Sequence, residues 1–120
     1  MSDLATNTNS QRWLITLSGR GRSQAALRAG ADLALAAGAF GQNVTLAFSG
    51  EGLKLLAPDP SLHEPLHRLL GSLPYYDIDR VYALVPHDQT LSFRDDLTVI
   101  PMAQQDWSVA AAASDIVVNY

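Results

Sequence analysis

His63-Glu64-Pro65-Leu66-His67 matches the H-E-x-x-H pattern letter for letter. In zinc hydrolases, two histidines one helical turn apart bind the metal and the glutamate activates water. Three features oppose that chemistry here. Pro65 would fall inside the helix that must pair the histidines. Glu64 is the last glutamate of the chain, so no further glutamate ligand follows. His63 flanks a leucine stripe and His67 lies further toward solvent, so both read as surface residues. A metal hydrolase using His63, Glu64 and His67 remains one alternative. A second motif is Gly19-Arg20-Gly21-Arg22-Ser23, between an apolar run and a helical pattern. Free amides at a helix start beside Arg20 and Arg22 suit a small anion. The run is not G-x-G-x-x-G, because position 24 is Gln, and no Gly-Lys-Ser/Thr follows. A glycine-rich turn with two solvated arginines explains it equally. Asp77, Asp79, Asp88, Asp95 and Asp96 bracket a strand and a loop. They read as turn caps rather than an acid/base pair.

Other chemistry is excluded by composition. The chain has no cysteine, so thiolate metal sites, cysteine nucleophiles, disulfides and a persulfide on this chain are impossible. There is no credible triad and no cofactor fingerprint, and no cofactor is expected. Tyr75, Tyr76, Phe93 and Trp107 are candidate interface anchors, since aromatics dominate contact energies. Phe93 lies in an otherwise polar segment and is expected to be the most exposed of the four. Trp107 reads as core or as an anchor. Tyr82 is expected in the sheet, with Tyr75 or Tyr76 closing the core.

These residues need a scaffold, and the sequence implies its kind. A chain of 120 residues makes one domain. It is 48% hydrophobic and 17% charged, which excludes disorder for most of it. The net charge of −4 argues against gripping a phosphate backbone. Residues 1–11 are polar, lack the apolar stretch of a signal peptide, and read as a loose tail before a folded domain at 12–120. No apolar run is long enough to span a bilayer. A cysteine-free domain of this kind fits the cytoplasm.

Short apolar runs at 12–18, 44–49, 79–85, 97–100 and 115–120 read as strands. A helix is expected over Gln24–Ala37 behind an N-cap at Ser23. Gly30 within it costs about 1 kcal/mol against Ala, which implies close packing on a neighbour. A short helix is expected after Gly52, stopped by Pro58-Asp59-Pro60. Leu62, Leu66, Leu69, Leu70 and Leu73 form a helical stripe, and a short helix is possible within 86–96. Four alanines in the helix at 104–113 allow close approach to a sheet. Strands alternating with helices make a three-layer α/β domain: a five-stranded, mostly parallel sheet with helices on both faces. An aspartate-phosphorylation receiver has this class, but Ser18-Gly19-Arg20 stands where its acidic pair belongs.

Ala39-Phe40-Gly41 through Val44, then Phe48–Gly52 and Leu55-Leu56, resembles a stretch of the DsrE/DsrF family. Glu51 stands in place of its usual Asp, and Leu53 in place of Val. Leu69–Tyr82 (LLGSLPYYDIDRVY) and the ending 114–120 are similar to the TusC/DsrF branch. The likeness runs from the first strand to the last residue. It implies a flavodoxin-like topology and a place in sulfur relay. There the chain would support TusD/DsrE-like and TusB/DsrH-like subunits in a hetero-hexamer, serving tRNA thiolation or sulfur oxidation. The family's carrier cysteine aligns with Leu84, which cannot form a persulfide. The resemblance therefore implies a non-catalytic subunit, and the acidic charge leaves no direct nucleic-acid contact expected. Two segments depart from the family: Pro86-His87-Asp88-Gln89-Thr90 after the third strand, and Gly19-Arg20-Gly21-Arg22 after the first. The rival reading is a homo-oligomeric module that holds an anion at Arg20 and Arg22.

Overall fold

The structure is a computed structural model that describes residues 10–19, 24–59 and 64–120. Each of the five apolar runs forms a strand: β1 (Arg12–Leu17), β2 (Asn43–Phe48), β3 (Arg80–Ala83), β4 (Thr98–Pro101) and β5 (Ile116–Asn119). Every neighbouring pair is parallel, in the order β4-β3-β2-β1-β5. The α/β class is as expected, with the sheet wholly parallel. The strand order corrects the flavodoxin-like topology, which runs 2-1-3-4-5. Here the strand carried past β1 is the last one, not the second.

Alternation along β1 divides the sheet into two unequal faces. Ile15 and Leu17 point to one side, in register with Leu46 and Phe48 of β2. Val81 and Ala83 of β3 continue that row. Against it pack Leu27, Ala31, Ala34 and Leu35 of helix α1 (Gln24–Ala39). Leu55 and Leu56 of a 3-10 helix (Gly50–Leu56), and Leu66 and Leu70 of α2 (Glu64–Leu70), complete the main core. Gly30 behaves as its sequence position implied. A Cβ there would strike the Leu17 side chain and the Tyr120 ring, so α1 lies directly on β1. Gly52 is tighter still, because a Cβ would collide with the Leu17 carbonyl.

Leu14, Thr16 and Ala47 point to the other face, in register with Tyr82 and Ile100. The only helix on that side among the described residues is α3 (Gln104–Ala113). Its place follows from topology. The chain steps β1 to β4 in one direction and then returns past β1 to β5. Parallel crossovers keep one hand, so reversing direction moves the connecting helix to the opposite face.

Some local expectations need revision. The leucine stripe does not make one helix through Leu73. α2 ends at Leu70, and Leu73 opens a 3-10 helix (Leu73–Tyr76) closed by Asp77 in the left-handed region, φ 65°. No helix forms within 86–96, where the Gln89 amide donates to the Pro86 carbonyl at 3.1 Å to make a turn. The end of the expected tail is held in place. Ser10 Oγ donates to the Gly41 carbonyl, the Gln11 amide donates to Gln42 Oε1 at 2.7 Å, and the Gln11 carbonyl accepts from the Asn43 amide. No helix among the described residues is long and apolar enough to cross a membrane.

Candidate functional site

Open parallel sheets bind ligands beyond the carboxyl ends of their strands, and the two grooves of interest lie there. The larger, about 480 Å³, is lined by Ser49, Leu84, Val85, Pro86, His87, and by Pro101–Gln104 across from them. The smaller, about 170 Å³, lies between α3 and the sheet. Thr16, Ser18, Ser49, Leu84, Gln104, Trp107 and Asn119 line it. Ser49, Leu84 and Gln104 belong to both, so the grooves meet at the end of β3.

Leu84 therefore occupies the centre of this edge. Its amide donates to the Phe48 carbonyl at 2.8 Å, extending the β2–β3 ladder by one step. Its side chain is half-buried and presents only methyl groups to the grooves. The polar side chains lining the smaller groove carry no charge. The Ser18 hydroxyl donates to the Tyr120 carbonyl at 2.9 Å, and the Ser18 amide reaches the same oxygen at 2.7 Å. Thr16 Oγ1 accepts from the Trp107 indole N–H at 2.9 Å. Ser49 starts the 3-10 helix without a side-chain cap bond, which leaves its hydroxyl to face the grooves. Such a lining can hold an uncharged or weakly polar group. It offers no general base or nucleophile stronger than a hydroxyl, apart from exposed His87 at the rim.

The sequence-derived candidates are dispersed. Tyr75 is 89% exposed and Tyr76 37% exposed, so neither closes the core. Phe93 reverses its expectation: it is half-buried and packed against the main core. The residue after it explains this. Arg94 is buried with its side chain 4% exposed. It pairs in two-pronged fashion with Asp96, Nε to Oδ1 at 2.6 Å and Nη2 to Oδ2 at 2.7 Å. Arg94 Nη1 also donates to the Leu55 carbonyl at 3.2 Å, and its amide to the Leu56 carbonyl at 2.8 Å. The arginine pins this loop to the 3-10 helix and carries Phe93 inward with it. Trp107 is not part of the main core: it is half-buried on α3 and lines the smaller groove. Tyr82 sits half-buried in the sheet, as expected.

The H-E-x-x-H segment is committed elsewhere. His63 lies outside the described residues. Glu64 pairs with Arg68 at 2.7 Å, and His67 Nε2 lies 2.8 Å from the Ala57 carbonyl. Pro65 stands in the first turn of α2, where its missing N–H costs nothing. The objection that it would break the helix therefore falls. Among the described residues no cluster of three His, Cys, Asp or Glu is placed to hold a metal. Arg20 and Arg22 also lie outside the described residues. Gly19 before them takes φ +70°, and its amide donates to the Tyr120 carbonyl.

Sequence reading missed Ser49, Met102, Gln104 and Asn119 as groove residues. The usable signal was position: they stand at or just past the carboxyl ends of parallel strands. No protein-family model matches the chain, and no curated protein matches it in sequence.

Proposed function

We propose that this chain is a non-catalytic subunit of a sulfur-relay complex of the DsrE/DsrF-like kind, in which a partner carries the persulfide cysteine. One observation carries the reading. The residue aligned with the carrier cysteine, Leu84, lies where the two carboxyl-edge grooves meet, and its side chain has no nucleophilic atom. The sequence holds no cysteine to replace it. The thin cover on the α3 face supports an assembly role. Val109 is 65% exposed and Val117 41% exposed there, apolar side chains that a partner subunit would cover. The partners are TusD/DsrE-like and TusB/DsrH-like subunits, in the cytoplasm, working in tRNA thiolation or sulfur oxidation.

The test is co-purification from the native source with an alkylating reagent that traps persulfides, read by mass spectrometry. The reading expects small partner subunits, one with a trapped persulfide on a cysteine. A chain that purifies alone, with no persulfide on any companion, overturns it.

A further inference from the structure

We propose that α3 is a hinged cover over the smaller groove: it lifts from the sheet as a unit while the chain on either side of it stays tied. This does not rest on the sulfur-relay reading. The first observation is burial. None of the ten residues Gln104–Ala113 is buried, whereas α1 buries seven. A helix gains most of its stability from the apolar face it packs against a core, and α3 has little of that. Its local support is limited to Asp106 in the first turn and a run of four alanines. Ala103 at its start provides no side-chain cap, and its last turn has no basic residue.

The second observation is the single attachment. Among the described residues, the hydrogen bond from Trp107 Nε1 to Thr16 Oγ1 is the one that joins α3 to the sheet. Thr16 is 5% exposed and otherwise faces the groove floor. The flanks are held differently. Before the helix, the Met102 amide donates to the Ala83 carbonyl at 2.8 Å. After it, the Asp115 amide donates to the Arg12 carbonyl at 2.8 Å. The Arg12 amide in turn donates to Asp115 Oδ2 at 2.8 Å. These ladder bonds fix two pivots, near Ala103 and Ser114, with a lightly held helix between them. Gln104 and Trp107 roof the smaller groove. When α3 lifts, Thr16, 5% exposed in the closed form, becomes open to the groove. Segments with few buried contacts are the ones that open below the global unfolding energy.

Hydrogen exchange on the full chain tests this, comparing amides of Ser108–Ala113 with those of Leu27–Ala37. The α3 amides are expected to exchange faster, relative to intrinsic rates, on the order of a hundredfold. Trp107→Phe and, separately, Thr16→Val each remove one partner of the clasp. Each is expected to speed α3 exchange roughly fivefold, the loss of one neutral hydrogen bond. Equal protection in α3 and α1 overturns the proposal. So does a clasp variant that leaves α3 exchange unchanged, because the Trp107–Thr16 bond would then not hold the helix down.

Discussion

At the scale of single residues, the strongest constraint is one that the sequence hides. Arg94 and Phe93 sit in a polar stretch, where the ordinary expectation buries neither and exposes the aromatic. The structure turns both inward, because the guanidinium satisfies its charge on Asp96 and on the Leu55 carbonyl. One partner is two residues away and the other is on a distant segment, so no periodicity announces the pairing. The consequence is measurable. The Arg94 hydrogen bonds hold the Asp96 carboxyl below its ordinary value of 3.8, against the opposing effect of partial burial. Its contribution to stability is therefore complete above the ordinary carboxylate range and is lost as pH falls through the lower folded value, below about pH 4. Asp96→Asn leaves a buried arginine without its counter-charge. At neutral pH it is expected to cost about 2 kcal/mol, the scale of hydrogen bonds to a charged group. Thermal melts across pH check this: the gap between wild type and variant narrows in acid. A constant gap would assign the loss to packing instead.

At the scale of elements, legibility followed the strength of the repeating pattern. The five strands were readable because each is a short apolar run closed by a turn residue. α1 was readable from its spacing, down to the close approach at Gly30. The leucine stripe misled at its end because it continues past Gly71 into a segment with Pro74. A stripe records which residues seek the core, not whether one helix carries them all. The strand order was out of reach of such patterns, since which strand crosses β1 depends on long-range pairing. The aromatic residues show the same division. Tyr75 stands on the 3-10 helix with its ring in solvent, while Phe93 leans on the core. Tyr75→Asp is therefore expected to change folding stability by no more than about 0.5 kcal/mol, whereas Phe93→Asp costs about 2 kcal/mol or more. Urea unfolding midpoints of the two variants distinguish them. Equal midpoints would remove the assignment of Phe93 to the core.

At the scale of the whole molecule, the sheet is dressed unevenly. One face carries α1, α2 and both 3-10 helices over a continuous apolar core. Among the described residues the other carries α3 alone, and Tyr82 and Ile100 on that face are only half-buried. Which face stays thinly covered was out of reach of composition and became clear only from the crossing of β1. The grooves were hidden for the same reason: their residues come from five separate segments and share no motif. An acidic chain without a thiol, with a leucine at its carboxyl-edge centre and one lightly covered face, is consistent with a subunit that supports chemistry done on a companion. Native mass spectrometry of the complex taken intact from its source tests that directly. The expected result is a hetero-oligomer with two other subunits of about 12–15 kDa, ordinary single-domain size. A mass equal to this chain alone, or to copies of it, would contradict a supporting subunit.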